Sequence, residues 1–530
     1  MSLTLMCQYF SNISSNTLSS NHTKPVMIAT ASAASSNKLD FIKFHNVIAG
    51  KLETTATTRH GVNPSTLENN PPVPVSTIED VDRAVEVAVK AAEAWADVPY
   101  TERQEKIAQF ADGLEALKDD FALMLTKEQG KPLAVSNGEV AAAIQTLRAV
   151  STLPPLDEVV EYEPNRRVSI EYTPLGMICR IRAFLGDRDI KRETGVAVGI
   201  VPWNFPISIA ITKIGSALVT GNAFILKPSP FTPYCNLKLA ELGIKYFPPG
   251  VFQALSGDDV LGPWLVAHPK VDKVSFTGST ATGKRIAESC GKTLKRVTLE
   301  LGGNDPAIVC GDVDVKAVAP KLAMLAFLNS GQVCIAIKRI YVHASIYKEL
   351  LGEIVKVSEN LLIGDGLKEG VMLGPLQNSM QYEKVKEFLA DIKSQGLKVA
   401  TGARDASTIG KGYFITPTIV DNPPEDSKIV MEEPFGPILP MLSWEEEDEV
   451  LRRANATVYG LGASVWTQDL EKGKRLARKL KAGSVWFNSH LELHPNVPFG
   501  GHKQSGIGAE NGIDGLKAFC NTRALYTNKE

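Results

Sequence analysis

The sequence predicts an α/β fold with two doubly wound α/β domains and a small β arm, on three observations. Short apolar runs alternate with helix-length amphipathic stretches, the pattern of a parallel sheet covered on both faces. A second block of this kind runs from about Pro306 to Pro498. Val168-Ser-Ile-Glu-Tyr172 instead alternates residue by residue, as a hairpin strand does. At 530 residues, 44% of them apolar, the chain can fill two or three domain cores.

The elements follow in order. Residues 1–37 are rich in Ser, Asn, Thr and Ala and are expected to form a disordered tail. No Arg precedes Arg59 and the start is not basic, which excludes an Arg-rich presequence and a secretory signal. Asn12-Ile-Ser14 and Asn21-His-Thr23 match a glycosylation pattern that a cytosolic chain leaves unused, and Met27 is an alternative start. Ser76-Thr77-Ile-Glu-Asp80 reads as a helix cap before Val81, Ala84, Val85, Ala88, Ala92 and Trp95 at helical spacing. Thr101-Glu-Arg-Gln104 reads as a second capping box, before Ile107, Phe110 and Leu114. Glu128-Gln-Gly-Lys-Pro132 ends the next helix. Gly199–Val201, Ala223–Leu226 and Lys273–Phe276 read as strands, with Leu237–Leu242 and Ile286–Leu294 in the crossover helices.

Composition excludes several classes. A net charge of −2 gives no attraction to nucleic acid or an anionic membrane. No apolar run approaches the length of a membrane span. Seven scattered cysteines without a Cys-x-x-Cys pair suit a reducing, cytoplasmic compartment. His490 and His494 have a ligand-like spacing, but Pro495 follows and no third ligand accompanies them, so no metal is expected.

Four motifs carry chemistry. Cys334 ends Asn329-Ser-Gly-Gln-Val-Cys334, where small and amide neighbours suit a nucleophile. Glu300 stands in Thr298-Leu-Glu300-Leu-Gly-Gly303, a carboxylate with room beside it for water. Pro202-Trp-Asn-Phe-Pro206 is a rigid turn presenting the Asn204 amide. Ser275-Phe-Thr-Gly-Ser-Thr-Ala-Thr-Gly283, between a strand and a helix, can cradle a pyrophosphate through Gly278, Ser279 and Gly283. It nearly matches a P-loop, but Arg285 stands where a P-loop needs Ser or Thr for magnesium.

Together, and in this order from Pro164 to the C-terminus, these motifs resemble the aldehyde dehydrogenase superfamily, and within it a poorly characterised microbial and fungal branch. The resemblance implies a Cys334 thiolate that attacks an aldehyde, an oxyanion held by Asn204 and the Cys334 N–H, and Glu300 as base for thioester hydrolysis. Relatives that pass the acyl group to coenzyme A lack this glutamate. NAD is the implied cofactor, touched by Val201, Pro202, Trp203, Lys227, Ser229, Gly257, Leu301, Glu433 and Phe435. Pro230 replaces the Glu that often binds the ribose hydroxyls in NAD-preferring relatives, which admits NADP as well. Lys213 and Glu510 match a proton path.

The implied substrate wall is Phe205, Ile209, Thr212 and Leu328, with Val333, Ile335, Leu493 and Phe499. Thr212 and Leu328 stand where semialdehyde-specific relatives place arginines, so a neutral aliphatic or aromatic aldehyde is expected. The implied domains are cofactor-binding (38–159 and 196–305), catalytic (306–498) and an oligomerisation arm (160–176 and 499–530) that builds a homodimer or homotetramer. Secondary metabolism is the expected setting.

Met177–Gly195 interrupts the family pattern. It is arginine-rich and weakly periodic, and deleting it restores the family-like Leu175-Gly-Val-Ala-Val-Gly. It reads as a retained intron, or else as a surface loop. Two rival readings follow: a non-catalytic protein disabled by this insertion next to the Asn204 strand, and a thiol hydrolase that needs no nicotinamide.

Overall fold

The computed structural model describes residues 39–163, 165–175, 195–402 and 409–528. The tail 1–37, its glycosylation-like motifs and Met27, and the segment Met177–Thr194, lie outside the described residues.

The first sheet has eight strands, ordered Gly506–Ile507, Arg296–Glu300, Lys273–Thr277, Val196–Ile200, Ala223–Lys227, Phe252–Ala254, Asn46–Ile48, Lys51–Glu53. The five strands from Arg296–Glu300 to Phe252–Ala254 run parallel, and the edges are antiparallel. Successive side chains enter two different cores. Val196, Val198 and Ile200 pack with Val81, Val85 and Ala88 of the Ile78–Ala96 helix. Ala197, Phe224 and Leu226 pack with Ile207, Ile211 and Ile214 of the Pro206–Val219 helix. Burial on both faces is why these strands read as unbroken apolar runs.

The second sheet has seven strands, ordered Val399–Thr401, Thr418–Asp421, Ile438–Trp444, Ile337–His343, Asp305–Val309, Gly462–Trp466, Ser484–Phe487. It is parallel apart from the Val399–Thr401 edge. A third, antiparallel sheet joins Cys520–Asn528, Arg166–Pro174 and Glu158–Glu163. That arm is narrower than expected at its C-terminal side. Gly506–Ile507 pairs with Arg296–Glu300 and Phe499 bridges Glu510, so 499–519 lies against the first sheet. Glycine allows this: a Cβ on Gly506 would sit 2.3 Å from the Leu299 carbonyl oxygen.

Thr77 caps its helix as expected, with Asp80 N–H donating to Thr77 Oγ1 and Thr77 N–H to Asp80 Oδ2. The second capping box is not formed. That helix starts at Tyr100 behind Pro99, without a side-chain cap. Thr101 is already inside it, and Gln104 Nε2 is spent on the Leu153 carbonyl at 2.8 Å.

Leu175 and Gly195, which bracket the undescribed stretch, lie against each other. A Cβ built on Gly195 would be 2.7 Å from the Leu175 carbonyl oxygen. Asn222 Oδ1 accepts the Leu175 N–H, and the Gly195 carbonyl accepts the Ala223 N–H. Among the described residues no helix is long and apolar enough to cross a membrane.

Candidate active site

The site forms where the first sheet meets the second. Glu300 ends its strand beside Thr277, and its carbonyl accepts the Gly278 N–H at 3.0 Å. The glycines that follow let the chain pass close to other groups. A Cβ on Gly302 would lie 2.5 Å from Glu433 Oε2, and one on Gly303 would lie 2.3 Å from the Cys334 carbonyl oxygen.

Cys334 follows a tight loop. Asn329, Ser330 and Gly331 all take left-handed backbone angles, with φ of 52°, 56° and 74°. Two of these are not glycine, so the surroundings must hold the strain. Ser330 Oγ donates to the Gly374 carbonyl at 2.6 Å, and Gln332 Nε2 to the Asn329 carbonyl at 2.9 Å. The Gln377 N–H donates to Gln332 Oε1 at 2.9 Å, and Lys338 Nζ donates to the Val333 carbonyl.

Asn204 is buried against this loop, its Nδ2 donating to the Gln332 carbonyl at 3.1 Å. The amide has a second N–H to offer. The Cys334 thiol and the Glu300 carboxyl lie near enough to influence one another's protons, while Glu300 Oε1 is buried without a hydrogen-bond partner. Burial holds the thiol well above its ordinary range, and the charges of Glu300 and Glu433 add to this. Burial, then Glu510, pushes Glu300 up to about 8 against the pull of Cys334, Lys213 and Thr277. At neutral pH this carboxyl is largely protonated.

Behind Glu300 the expected Lys213–Glu510 pair is present and buried. Lys213 Nζ also donates to Thr277 Oγ1 at 2.9 Å and Ser275 Oγ at 3.2 Å, and Ser275 Oγ donates to Glu510. A polar column therefore runs from Glu300 through Thr277 and Lys213 to Glu510.

Val201, Lys227, Gly257, Gly278 and Leu301, expected to touch the dinucleotide, stand at or just beyond the C-terminal ends of the first sheet's parallel strands. Ser279 caps the Thr280–Gly291 helix, accepting the Thr282 N–H. Gly283 leaves room for Leu301, whose Cδ2 lies 2.5 Å from where a Cβ would be. Trp203 and Phe435 meet edge to face at 5.3 Å. Val201 N–H donates to the Lys227 carbonyl, and Lys227 and Ser229 are buried nearby. Burial lowers Lys227 to about 8. The Gly257 carbonyl accepts from Arg59 at 3.5 Å. Glu433 Oε1 is buried without a hydrogen-bond partner, with Lys338 Nζ 3.9 Å away, which fits an acceptor for a ribose hydroxyl.

The wall residues divide. Val333, Ile335, Phe499 and Phe205 cluster with Cys334, joined by Leu461, Trp486 and Leu491. Leu328 packs on Val135 and Leu491, Ile209 against the first sheet's core, and Thr212 Oγ1 bonds to the Ser208 carbonyl. Leu493 is 40% exposed and outside the cluster. Leu491, two residues earlier with φ 66°, packs against that cluster. His490 Nε2 donates to the Ile335 carbonyl at 2.8 Å, while His494 is exposed. Sequence reasoning missed Lys131 and Glu139, a buried ion pair behind Asn204, because nothing local marks a buried lysine.

The model of the aldehyde dehydrogenase family matches residues 52–184 and 189–525. Aldehyde dehydrogenase LUC3 of Fusarium sp is 42% identical over 491 residues, 93% of this chain and 100% of that one. Phenylacetaldehyde dehydrogenase of Pseudomonas fluorescens is 37% identical over 477 residues, 87% of this chain and 91% of that one. The NAD+ complex structure of an aldehyde dehydrogenase from Bacillus cereus superposes with a TM-score of 0.87 at 33% identity, covering 92% of this chain and 98% of that one.

Proposed function

The chain belongs to the aldehyde dehydrogenase family, and we propose that it oxidises a neutral aliphatic or aromatic aldehyde to a carboxylic acid with NAD or NADP through a Cys334 thioester. The observation that carries this reading is Asn204 Nδ2 hydrogen-bonded to the Gln332 carbonyl two residues before Cys334, with Glu300 near enough to shift the thiol's proton affinity.

Cys334, which is partly exposed, gives its proton to water, and its sulfur attacks the aldehyde carbon. The carbonyl oxygen becomes an alkoxide that the Asn204 amide and the Cys334 N–H stabilise. Re-forming that carbonyl expels hydride, which a bound nicotinamide supplies the means to accept. Glu300 then takes a proton from water, whose oxygen attacks the thioester carbon and breaks the C–S bond. Lys213 and Glu510 carry the released proton away from Glu300 along the buried column. Trp203, Phe435, Glu433 and Ser279 are the groups that would hold the cofactor.

The apolar cluster around Cys334 supports the substrate class. Phe205, Trp486 and Phe499 offer ring surfaces, and a carboxylate seated there would lack a partner. The resemblance to a phenylacetaldehyde dehydrogenase favours an arylalkyl aldehyde within that class. The intact site supports catalysis over the reading of a disabled fold.

The test follows reduced cofactor with phenylacetaldehyde, hexanal and succinate semialdehyde, each with NAD+ and NADP+. Turnover of the first two, lost in Cys334→Ala, is expected. Preference for the semialdehyde would overturn the substrate class, and cofactor-independent hydrolysis would favour the thiol hydrolase.

A further inference from the structure

We propose that Lys131 and Glu139 form a buried clamp that positions Asn204 and ties it to the loop carrying Cys334; the inference rests on the oxyanion role given to Asn204 above. Both side chains are fully buried. Lys131 Nζ donates to Glu139 Oε2 at 2.5 Å and to the Asn204 carbonyl at 2.7 Å, and lies 3.7 Å from the centre of the Phe205 ring. The other carboxylate oxygen of Glu139 accepts the N–H groups of Ile207 at 2.9 Å and Ser208 at 3.2 Å, in the first turn of the Pro206–Val219 helix. Glu139 thus neutralises Lys131 and fixes the helix start, while Lys131 fixes the carbonyl two residues before it.

The turn that supplies Lys131 also grips the cysteine loop. A Cβ on Gly374 would lie 2.0 Å from the Gly130 carbonyl oxygen, and one on Gly366 would lie 2.4 Å from that of Lys131. Gln377 Nε2 donates to the Glu128 carbonyl at 3.0 Å, and its N–H to Gln332 Oε1. Asn204 Nδ2 closes the circuit on the Gln332 carbonyl. The circuit runs from Lys131 to Asn204, Gln332, Gln377 and back to Glu128 in the same turn. It sets both expected oxyanion donors, the Asn204 amide and the Cys334 N–H, relative to one another. A buried ion pair is a poor source of net stability, but one with every hydrogen bond directed fixes a geometry. Lys131 is therefore a positioning residue.

The test is a double-mutant cycle between Lys131→Met and Asn204→Ala. Lys131→Met is expected to lower kcat about tenfold to a hundredfold, the range for a misplaced catalytic group. KM for the nicotinamide cofactor and the rate of Cys334 alkylation by iodoacetamide should stay near wild type. Lys131→Arg should restore most of the loss. On the Asn204→Ala background, Lys131→Met should add less than about threefold, because both changes remove one function. Multiplying losses, or wild-type kcat in Lys131→Met, would overturn the clamp. Full activity in Asn204→Ala would instead overturn the oxyanion assignment, and the clamp with it. If Lys131→Met does not fold, Glu139→Gln replaces it in the cycle, since it keeps an acceptor for both N–H groups and removes the charge.

Discussion

The Cys334 thiol and the Glu300 carboxyl stand close enough that Glu300 raises the thiol's proton affinity and Cys334 lowers that of the carboxyl, so the two are coupled before substrate arrives. Glu300→Gln should separate their roles. Steady-state turnover should fall about 10²- to 10⁴-fold, as for loss of a general base. Alkylation of Cys334 by iodoacetamide above pH 8, where Glu300 is ionised, should quicken, because the Glu300 charge helps to hold the thiol proton. Equal loss in both assays would refute this division.

The pH dependence follows from the same carboxyl. Its folded pKa lies near 8, above the ordinary carboxylate range, so the basic form appears only as pH rises through about 8. Turnover limited by hydrolysis should rise along that limb and then level. Glu510 raises this pKa and Lys213 lowers it. Glu510→Gln should therefore move the limb toward acid and Lys213→Met toward alkali. Rate profiles of the two variants shifting in the same direction would contradict the assignment.

Deletion of Met177–Gly195 should leave a folded, active enzyme. Leu175 already touches Gly195, so Gly176 can occupy the glycine position before Val196. Thermal melting and cofactor reduction check this. A deletion variant that is insoluble or inert would show that the segment belongs to the fold.

Gly331→Ala should destabilise the protein and slow alkylation of Cys334. Gly331 has φ 74°, and a Cβ there would lie 2.2 Å from the Gly436 carbonyl oxygen. The backbone strain alone costs about 1–3 kcal/mol. Urea unfolding gives the stability change, and an unchanged midpoint would show that the loop relaxes.

The features legible in the sequence are those set by neighbours along the chain. Thr77 and Asp80 announce a cap three residues apart, and Ser279 with its glycines announces a strand-to-helix turn. Thr101-Glu-Arg-Gln104 carries the same local signal, yet Pro99 begins the helix and Leu153 takes the Gln104 side chain. No local signal marked Leu491, which packs against the Cys334 cluster while Leu493 is exposed.

By itself the sequence determined the α/β alternation and singled out Cys334, Glu300 and Asn204 as candidates, since apolar period and residue chemistry are local properties. Only the tertiary structure decided that Asn204 is bonded to the loop before Cys334, how far burial lifts Glu300, and that Lys131 and Glu139 stand behind Asn204. Desolvation and hydrogen-bond partners are supplied by segments remote in sequence, and no pattern along one stretch of chain records what packs against it from another.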